Sequence, residues 1–274
     1  MKKVVFRVAV ALAALCSSLP AAAGVGPWAN GSKAKVRILS EGIGADGRLA
    51  AGIEIVLPPG WKTYWRDPGT AGVAPKIDFA LSENVTGAEV AFPVPHRSDD
   101  GFSVTNVYEE RVVLPVSIVV TDPAKPAELF AKLDLGVCQA VCIPDHIEAR
   151  LSVPPGEGDA AAAKILAAAR ALVPGAPQPG TFAVEGVSRN GGTEGKPIFR
   201  IRTAVPAGTD PVLFVEGPGD WSSYAPAVAS RDGDKAVYDV KFSRTGSKTP
   251  IAGVRFRITI SAGGKAIEQT IGLD

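Results

Sequence analysis

Short alternations of apolar and polar residues dominate the chain. "KAKVRILS" (33–40), "RLAAGIEIVL" (48–57), "GAEVAF" (87–92), "RVVLPVSIVV" (111–120) and "EARLSV" (148–153) are rich in Val and Ile and predict strands. Pro and Gly punctuate them, in "PPG", "DPGTAG", "FPVPH" and "DPAKP". The pattern changes at "GDAAAAKILAAARALVPG": Asp159 is a candidate helix cap, Pro174 and Gly175 are breakers, and Ile165, Leu166, Ala169, Leu172 and Val173 recur at helical spacing. This segment predicts a helix with one face to bury, and "APQPG" after it reads as a linker. Alternation then returns in "PIFRIRTAV", "PVLFVEG", "KAVYDVKFS" and "GVRFRITISAGGKAIEQTIGL", with "RDGDK" and "AGGK" as hairpin turns.

No helical pattern is repeated often enough to build βαβ units. Many short strands with frequent turns predict an all-β fold: two immunoglobulin-like β-sandwich domains joined by a helix-containing linker. The boundaries fall at 30–155 for the first sandwich, 156–180 for the helix and linker, and 181–274 for the second sandwich. The second sandwich contains no cysteine or histidine and is expected to be non-catalytic. Trp221 and Tyr224 in "GDWSSYAP" are read as packing residues.

The N-terminus sets the compartment. Lys2, Lys3 and Arg7 flank an apolar run from Val8 to Leu15, and "LPAAAG" places small residues where a signal peptidase cuts, between Ala23 and Gly24. Residues 1–23 are expected to be a cleaved signal peptide, with the mature chain in a periplasm. Cys16 lies inside that segment, and Leu15 before it does not suit a lipoprotein box. No later apolar run approaches the ~20 residues that span a membrane. Without residues 1–23 the chain keeps 251 residues with 26 basic and 28 acidic side chains, a balance that does not suggest a nucleic acid or an anionic membrane as partner.

Two cysteines remain, in "LGVCQAVCIPDH": Cys138, Cys142, and a histidine four residues on, His146. In a straight strand residues four apart lie about 13 Å apart, whereas a disulfide needs Cα atoms within about 7 Å. A bonded pair therefore requires "QAV" to turn, and the flanking apolar residues favour a hairpin at the edge of the sandwich. Closing so short a loop stabilises the fold by only about 2 kcal/mol. The residues alone leave three readings open: a structural staple, a redox pair, or a metal site. For the last, Cys138, Cys142 and His146 share the C-x3-C-x3-H spacing of the binuclear copper loop in cytochrome oxidase subunit two, with His96 as the only upstream histidine. That loop continues with a methionine where Ala149 stands here, and Pro144 interrupts it. Nothing supports a Ser-His-Asp hydrolase, a Cys-His protease or a phosphate-binding loop.

Residues from about Gly60 to Val153 resemble the periplasmic N-terminal region of DsbD and ScsB type protein-disulfide reductases. The resemblance rests on "GWKTYWRDPGTAG", on "PHRSDDGFSVTNVYEERVVLPVSI", and on "VCQAVCIP" as a redox pair followed by Pro. The helix and the second sandwich resemble the longer N-terminal region of ScsB-like members. The resemblance implies a redox-active disulfide between Cys138 and Cys142, with Cys142 attacking the partner. It implies Phe102 as the aromatic of a cap loop shielding that disulfide, Asp99 and Asp100 as acidic residues beside it, and Tyr64 as a nearby aromatic. It also implies a membrane-embedded electron donor of the DsbD/ScsB or CcdA type, periplasmic thioredoxin-like proteins as partners, and roles of the kind served in cytochrome c biogenesis and copper tolerance. Such exchange calls for no cofactor and no metal. The membrane hub and thioredoxin-like domain of full reductases have no counterpart in this sequence. The reading that competes with exchange is a copper-binding or copper-delivery protein using Cys138, Cys142 and His146.

Overall fold

A computed structural model describes residues 24–244 and 246–274 of the 274-residue chain. The expected signal peptide, with Cys16, lies outside the described residues. Twelve strands precede the helix: β1 (Ala29–Asn30), β2 (Lys35–Ile43), β3 (Arg48–Val56), β4 (Lys62–Gly69), β5 (Lys76–Asp78), β6 (Val85–Val90), β7 (His96–Asp99), β8 (Val104–Glu109), β9 (Arg111–Val120), β10 (Ala127–Cys138), β11 (Cys142–Val153) and β12 (Gly156–Glu157). After α1 (Ala160–Arg170) come β13 (Ala183–Gly192), β14 (Pro197–Ala204), β15 (Val212–Glu216), β16 (Ser222–Ser223), β17 (Ala227–Asp232), β18 (Lys235–Ser243), β19 (Arg255–Ala262) and β20 (Lys265–Gly272).

The strands form an all-β, immunoglobulin-like architecture of stacked sheets. In the first stack, β1-β2-β3-β9-β6 faces β11-β10-β4-β8-β7, with β12 added beside β2 and β5 beside β10. The alternating residues of the two inner faces make one core, including Ile38, Ile53, Leu114, Ile118, Leu133 and Trp65. In the second, β13-β14-β18-β16, with β17 beside β18, faces β15-β19-β20. Its core centres on Phe199, Trp221, Phe242 and Phe256, whose rings stack and tilt at 4.8–6.3 Å. Trp221 is thus a packing residue, while Tyr224 is exposed. The "RDGDK" and "AGGK" segments turn as expected, pairing Asp232 with Lys235 and Ala262 with Lys265.

The helix forms where its cap and pattern put it. Asp159 accepts hydrogen bonds from the amides of Ala161 and Ala162 at 2.7 and 2.9 Å, satisfying two of the donors that a helix start leaves open. Ala162, Leu166 and Ala169 bury against Leu39 and Val113, on the outer face of the first stack. Gly52 makes this docking possible: a Cβ there would stand 2.3 Å from Leu166 Cδ2. The apolar stripe is shorter than the sequence suggested. The helix ends at Arg170, and Leu172 lies beyond it, exposed.

The two stacks touch through β4. Its pairing with β8 jumps from Tyr64↔Val107 to Gly69↔Thr105, so Arg66, Asp67 and Pro68 bulge out of the ladder. Arg66 donates to Glu216 at 2.6 Å and also pairs with Glu268. Trp65 packs on Phe214 at 5.5 Å, and Phe214 joins the core of the first stack.

Candidate functional site

The β10–β11 hairpin builds the site. Its register runs unbroken from Ala127↔Val153 to Cys138↔Cys142, and Gln139, Ala140 and Val141 form the loop. The cysteines therefore face each other across the last rung, with Cα atoms 4.1 Å apart, and are joined by a disulfide. That distance is close to the ~4.5 Å of a narrow antiparallel pair. The pair is asymmetric. Cys138 is 1% exposed and Cys142 is exposed, because β10 is flanked by β4 on its inner side whereas β11 is the edge strand.

Tyr64 closes the buried side. Its hydroxyl lies 3.0 Å from Cys138 Sγ and 3.5 Å from Cys142 Sγ, and the residue is 5% exposed. Burial, and after it the Asp100 carboxylate, hold its pKa above the usual phenol value, so the hydroxyl keeps its proton and can donate to sulfur. Two glycines cradle the ring. A Cβ at Gly72 would stand 2.3 Å from Tyr64 Cε1, and one at Gly136 would stand 3.2 Å from Cε2. Gly72 also has φ +94°, a backbone conformation that other residues rarely adopt.

The segment carrying Asp99, Asp100 and Phe102 is the tip of the β7–β8 hairpin. Asp100 organises it, accepting from the amides of Ser103 and Phe102 at 2.8 and 3.0 Å. These bonds, Ser103's first, hold its carboxyl below the usual range. Asp99 accepts from the Gly101 amide at 2.9 Å. Phe102 is 101% exposed, so in this conformation its ring covers nothing, and the covering of Cys138 is made by Tyr64. The structure thus gathers Tyr64, Cys138 and Cys142 at one point, with Asp100 near enough to act on Tyr64 through its charge.

The copper set is not gathered. His146 stands opposite Asp134, four rungs from the cysteines, and its Nδ1 is 2.6 Å from Asp134 Oδ1. Four residues of strand are about 13 Å. His96 lies on β7, three strands from β10 in the sheet order, or about 14 Å. Metal–ligand bonds to sulfur and nitrogen are about 2.0–2.3 Å. Among the described residues no group of three or more His, Cys, Asp or Glu side chains is placed to hold a metal ion.

One residue of the site's frame was not singled out from the sequence. Asp145, three residues after Cys142, is 1% exposed and accepts from the backbone amides of Ser32, Lys33 and Ala34 at 2.7, 2.9 and 2.9 Å. It ties the chain before β2 to the strand that carries Cys142. Gly31 makes room for it, since a Cβ there would lie 2.1 Å from Asp145 Oδ1. Only its place on the inward-facing parity of β11, where a polar residue is unusual, signalled it.

With this geometry in place, the comparisons narrow the reading. Residues 35–153 match the family model described as thiol:disulfide interchange protein DsbD, N-terminal. This segment belongs to the DsbD N-terminal family. The matched residues contain the whole Tyr64–Cys138–Cys142 cluster, so the disulfide of this DsbD-type segment sits in an interchange domain. Over nearly its full length the chain is also similar to the N-terminal periplasmic domain of ScsB from Proteus mirabilis, with TM-score 0.72 and 22% identity, covering 91% of this chain and 98% of that one. The likeness shows a shared fold that extends past the DsbD-type segment into the helix and the second stack. A further match, the CFA/I adhesin CfaE of enterotoxigenic E. coli, has TM-score 0.18 and 10% identity and carries no argument. No curated protein matches the chain. Among the described residues no helix is long and apolar enough to cross a membrane.

Proposed function

We propose that the chain is a periplasmic thiol:disulfide interchange protein in which residues 30–155 pass electrons through the Cys138–Cys142 pair. The observation that carries this reading is the asymmetry of the disulfide: Cys142 is exposed, while Cys138 is buried under the Tyr64 hydroxyl. Thiol exchange needs one reachable sulfur and one good leaving group, and the pair offers both.

The steps balance as two-electron exchange. A donor thiolate attacks Cys142 Sγ; the S–S bond breaks, a mixed disulfide forms, and Cys138 leaves as a thiolate that accepts the Tyr64 O–H. The donor's second thiolate then attacks its own sulfur in the mixed disulfide, leaving the donor oxidised and both cysteines reduced. In the second half Cys142, as thiolate, attacks an acceptor disulfide. Cys138 resolves the new mixed disulfide at Cys142 Sγ and releases the acceptor as a dithiol.

The donor is a membrane-embedded reductase of the DsbD/ScsB or CcdA type and the acceptors are thioredoxin-like proteins. An apolar rim supports docking of such partners: Val141 in the hairpin loop, Val73 against Gly136, and Phe102 at the β7–β8 tip are all exposed. Phe102, Asp99 and Asp100 form a cap loop that stands open in this conformation and shields Cys142 when it closes. Residues 181–274 position the redox unit through the Arg66–Glu216–Glu268 contact, with α1 docked to the first stack. In the test, a Cys138→Ala chain, with Cys142 left free, traps a mixed disulfide with a thioredoxin-like periplasmic protein, and Cys142→Ala does not. Failure of both variants to capture any such partner overturns the reading.

A further inference from the structure

A cleft of about 960 Å³ opens between the two stacks, on the far side of β7 from the disulfide. Its accessible apolar surface comes from Val94, Leu172 and Val212, with the buried Phe182, Phe214 and Ile267 behind them. Its charged lining is of one sign only, namely Arg97 and Lys265, with no Asp or Glu among the lining residues.

Arg97 is the unusual member. Its Nη2 donates to the Leu213 carbonyl at 2.6 Å and its guanidinium lies 5.0 Å from the centre of the Phe214 ring. Its Nε is buried without a hydrogen-bond partner. Among the described residues no carboxylate pairs with it, whereas Arg66 in the same interface holds two. Burial disfavours its charge, opposed only in part by the Tyr238 phenol. A half-buried cation without a counter-ion, at the wall of a largely apolar cavity, has the chemistry of an anion-binding site.

We propose that this cleft binds an organic carboxylate with an apolar body, the carboxylate set against Arg97 and Lys265 and the hydrocarbon against Val94, Leu172 and Val212. The walls favour a small molecule over an added peptide strand, because backbone groups there are already paired. Val94 donates to Leu172, Gly175 donates to Ala266, and Glu268 donates back to Gly175. The volume lies in the range of small-molecule sites.

The test is calorimetric titration of the oxidised full-length chain with decanoate and with decanol, below their aggregation limits. Decanoate saturates a single site and binds at least tenfold more tightly than decanol. Arg97→Gln weakens decanoate at least tenfold. Lys265→Gln, on an exposed turn that no core depends on, weakens it severalfold, and Val212→Trp, which fills the cleft, removes binding of both probes. Equal affinity for decanoate and decanol, or decanoate binding unchanged by both charge variants, overturns the proposal. So does a chain that ignores decanoate and binds an acidic peptide. Neither cysteine takes part in the measurement, so its outcome is separate from that of the exchange reading.

Discussion

The Tyr64 hydroxyl stands 3.0 Å from Cys138 Sγ, on the buried side of the disulfide, while Cys142 faces solvent. The hydroxyl and the difference in burial set the two sulfurs in unlike surroundings. The exposed sulfur is the one farther from the hydroxyl, at 3.5 Å.

Removing that hydroxyl isolates its contribution. A hydrogen bond to a charged group contributes about 1.5–3 kcal/mol, and about 1.4 kcal/mol is tenfold in rate. Tyr64→Phe keeps the ring in its cradle and should slow reduction of the disulfide by dithiothreitol at least about tenfold, measured by quenched alkylation. An unchanged rate would reduce Tyr64 to a packing residue.

The glycine cradle gives an independent handle. Gly72→Ala places a methyl group on the Tyr64 ring and forces a non-glycine residue to φ +94°. Strain of this kind and overpacking each cost about 1–3 kcal/mol. Denaturant titration should show that loss of stability, accompanied by slower disulfide reduction because the ring is displaced. Loss of stability without any change in rate would separate the cradle from the chemistry.

Asp145 should behave as a structural anchor. Replacing it with Ala leaves the buried Ala34 amide without its partner and the more exposed Ser32 and Lys33 amides to water, and an unsatisfied buried donor costs about 1–3 kcal/mol. Asp145→Ala should lose about 1–3 kcal/mol in a denaturant titration, and Asp145→Asn, which keeps one of the two acceptor oxygens, less.

The interface carries a pH dependence of defined sign. Burial, opposed by the Gly69 amide and reinforced by Glu216, pushes the Asp67 carboxyl up to about 6 from an unfolded value of 3.8. Its neutral form is therefore the one the fold prefers. The stability it contributes is complete below about pH 4 and is lost as pH rises through 6. At about 1.4 kcal/mol per pH unit, that loss reaches at most about 3 kcal/mol. Asp67→Asn removes the charge, keeps an acceptor for the Gly69 amide and turns its NH2 donor to the Ser223 hydroxyl, which can accept. Unfolding midpoints at pH 4 and pH 8 should converge for this variant relative to the parent, with the variant the more stable at pH 8. Parallel profiles would contradict the assignment.

The parts that could be read from the sequence are those set by local pattern. Strand β18 alternates cleanly because one face is core, β2, β3 and β9 carry longer apolar runs because α1 covers part of their outer face, and Asp159 caps α1 where it stands in the sequence. The turn between Cys138 and Cys142 followed from the length of an extended chain, and it is the hairpin that geometry required. What stayed hidden depends on distant partners. "DPG" reads as a turn, yet β4 runs through it, held by β8, by Asn106 donating to the Asp67 carbonyl, and by the second stack. Arg66 looks like any surface charge until Glu216 and Glu268, far along the chain, are brought to it. Phe102 suggested a shield by its place in the family pattern, but a loop-tip ring is held only by what it touches, and here it touches solvent.

The central claim is that exchange occurs at Cys142 and that Cys138 is the buried leaving sulfur. The most direct measurement is to react the oxidised protein with glutathione, quench early with acid, and map the mixed disulfide by peptide mass spectrometry. The glutathione adduct should lie almost wholly on Cys142, with Cys138 recovered as the free thiol. An adduct mainly on Cys138, or equal amounts on both, would contradict the account.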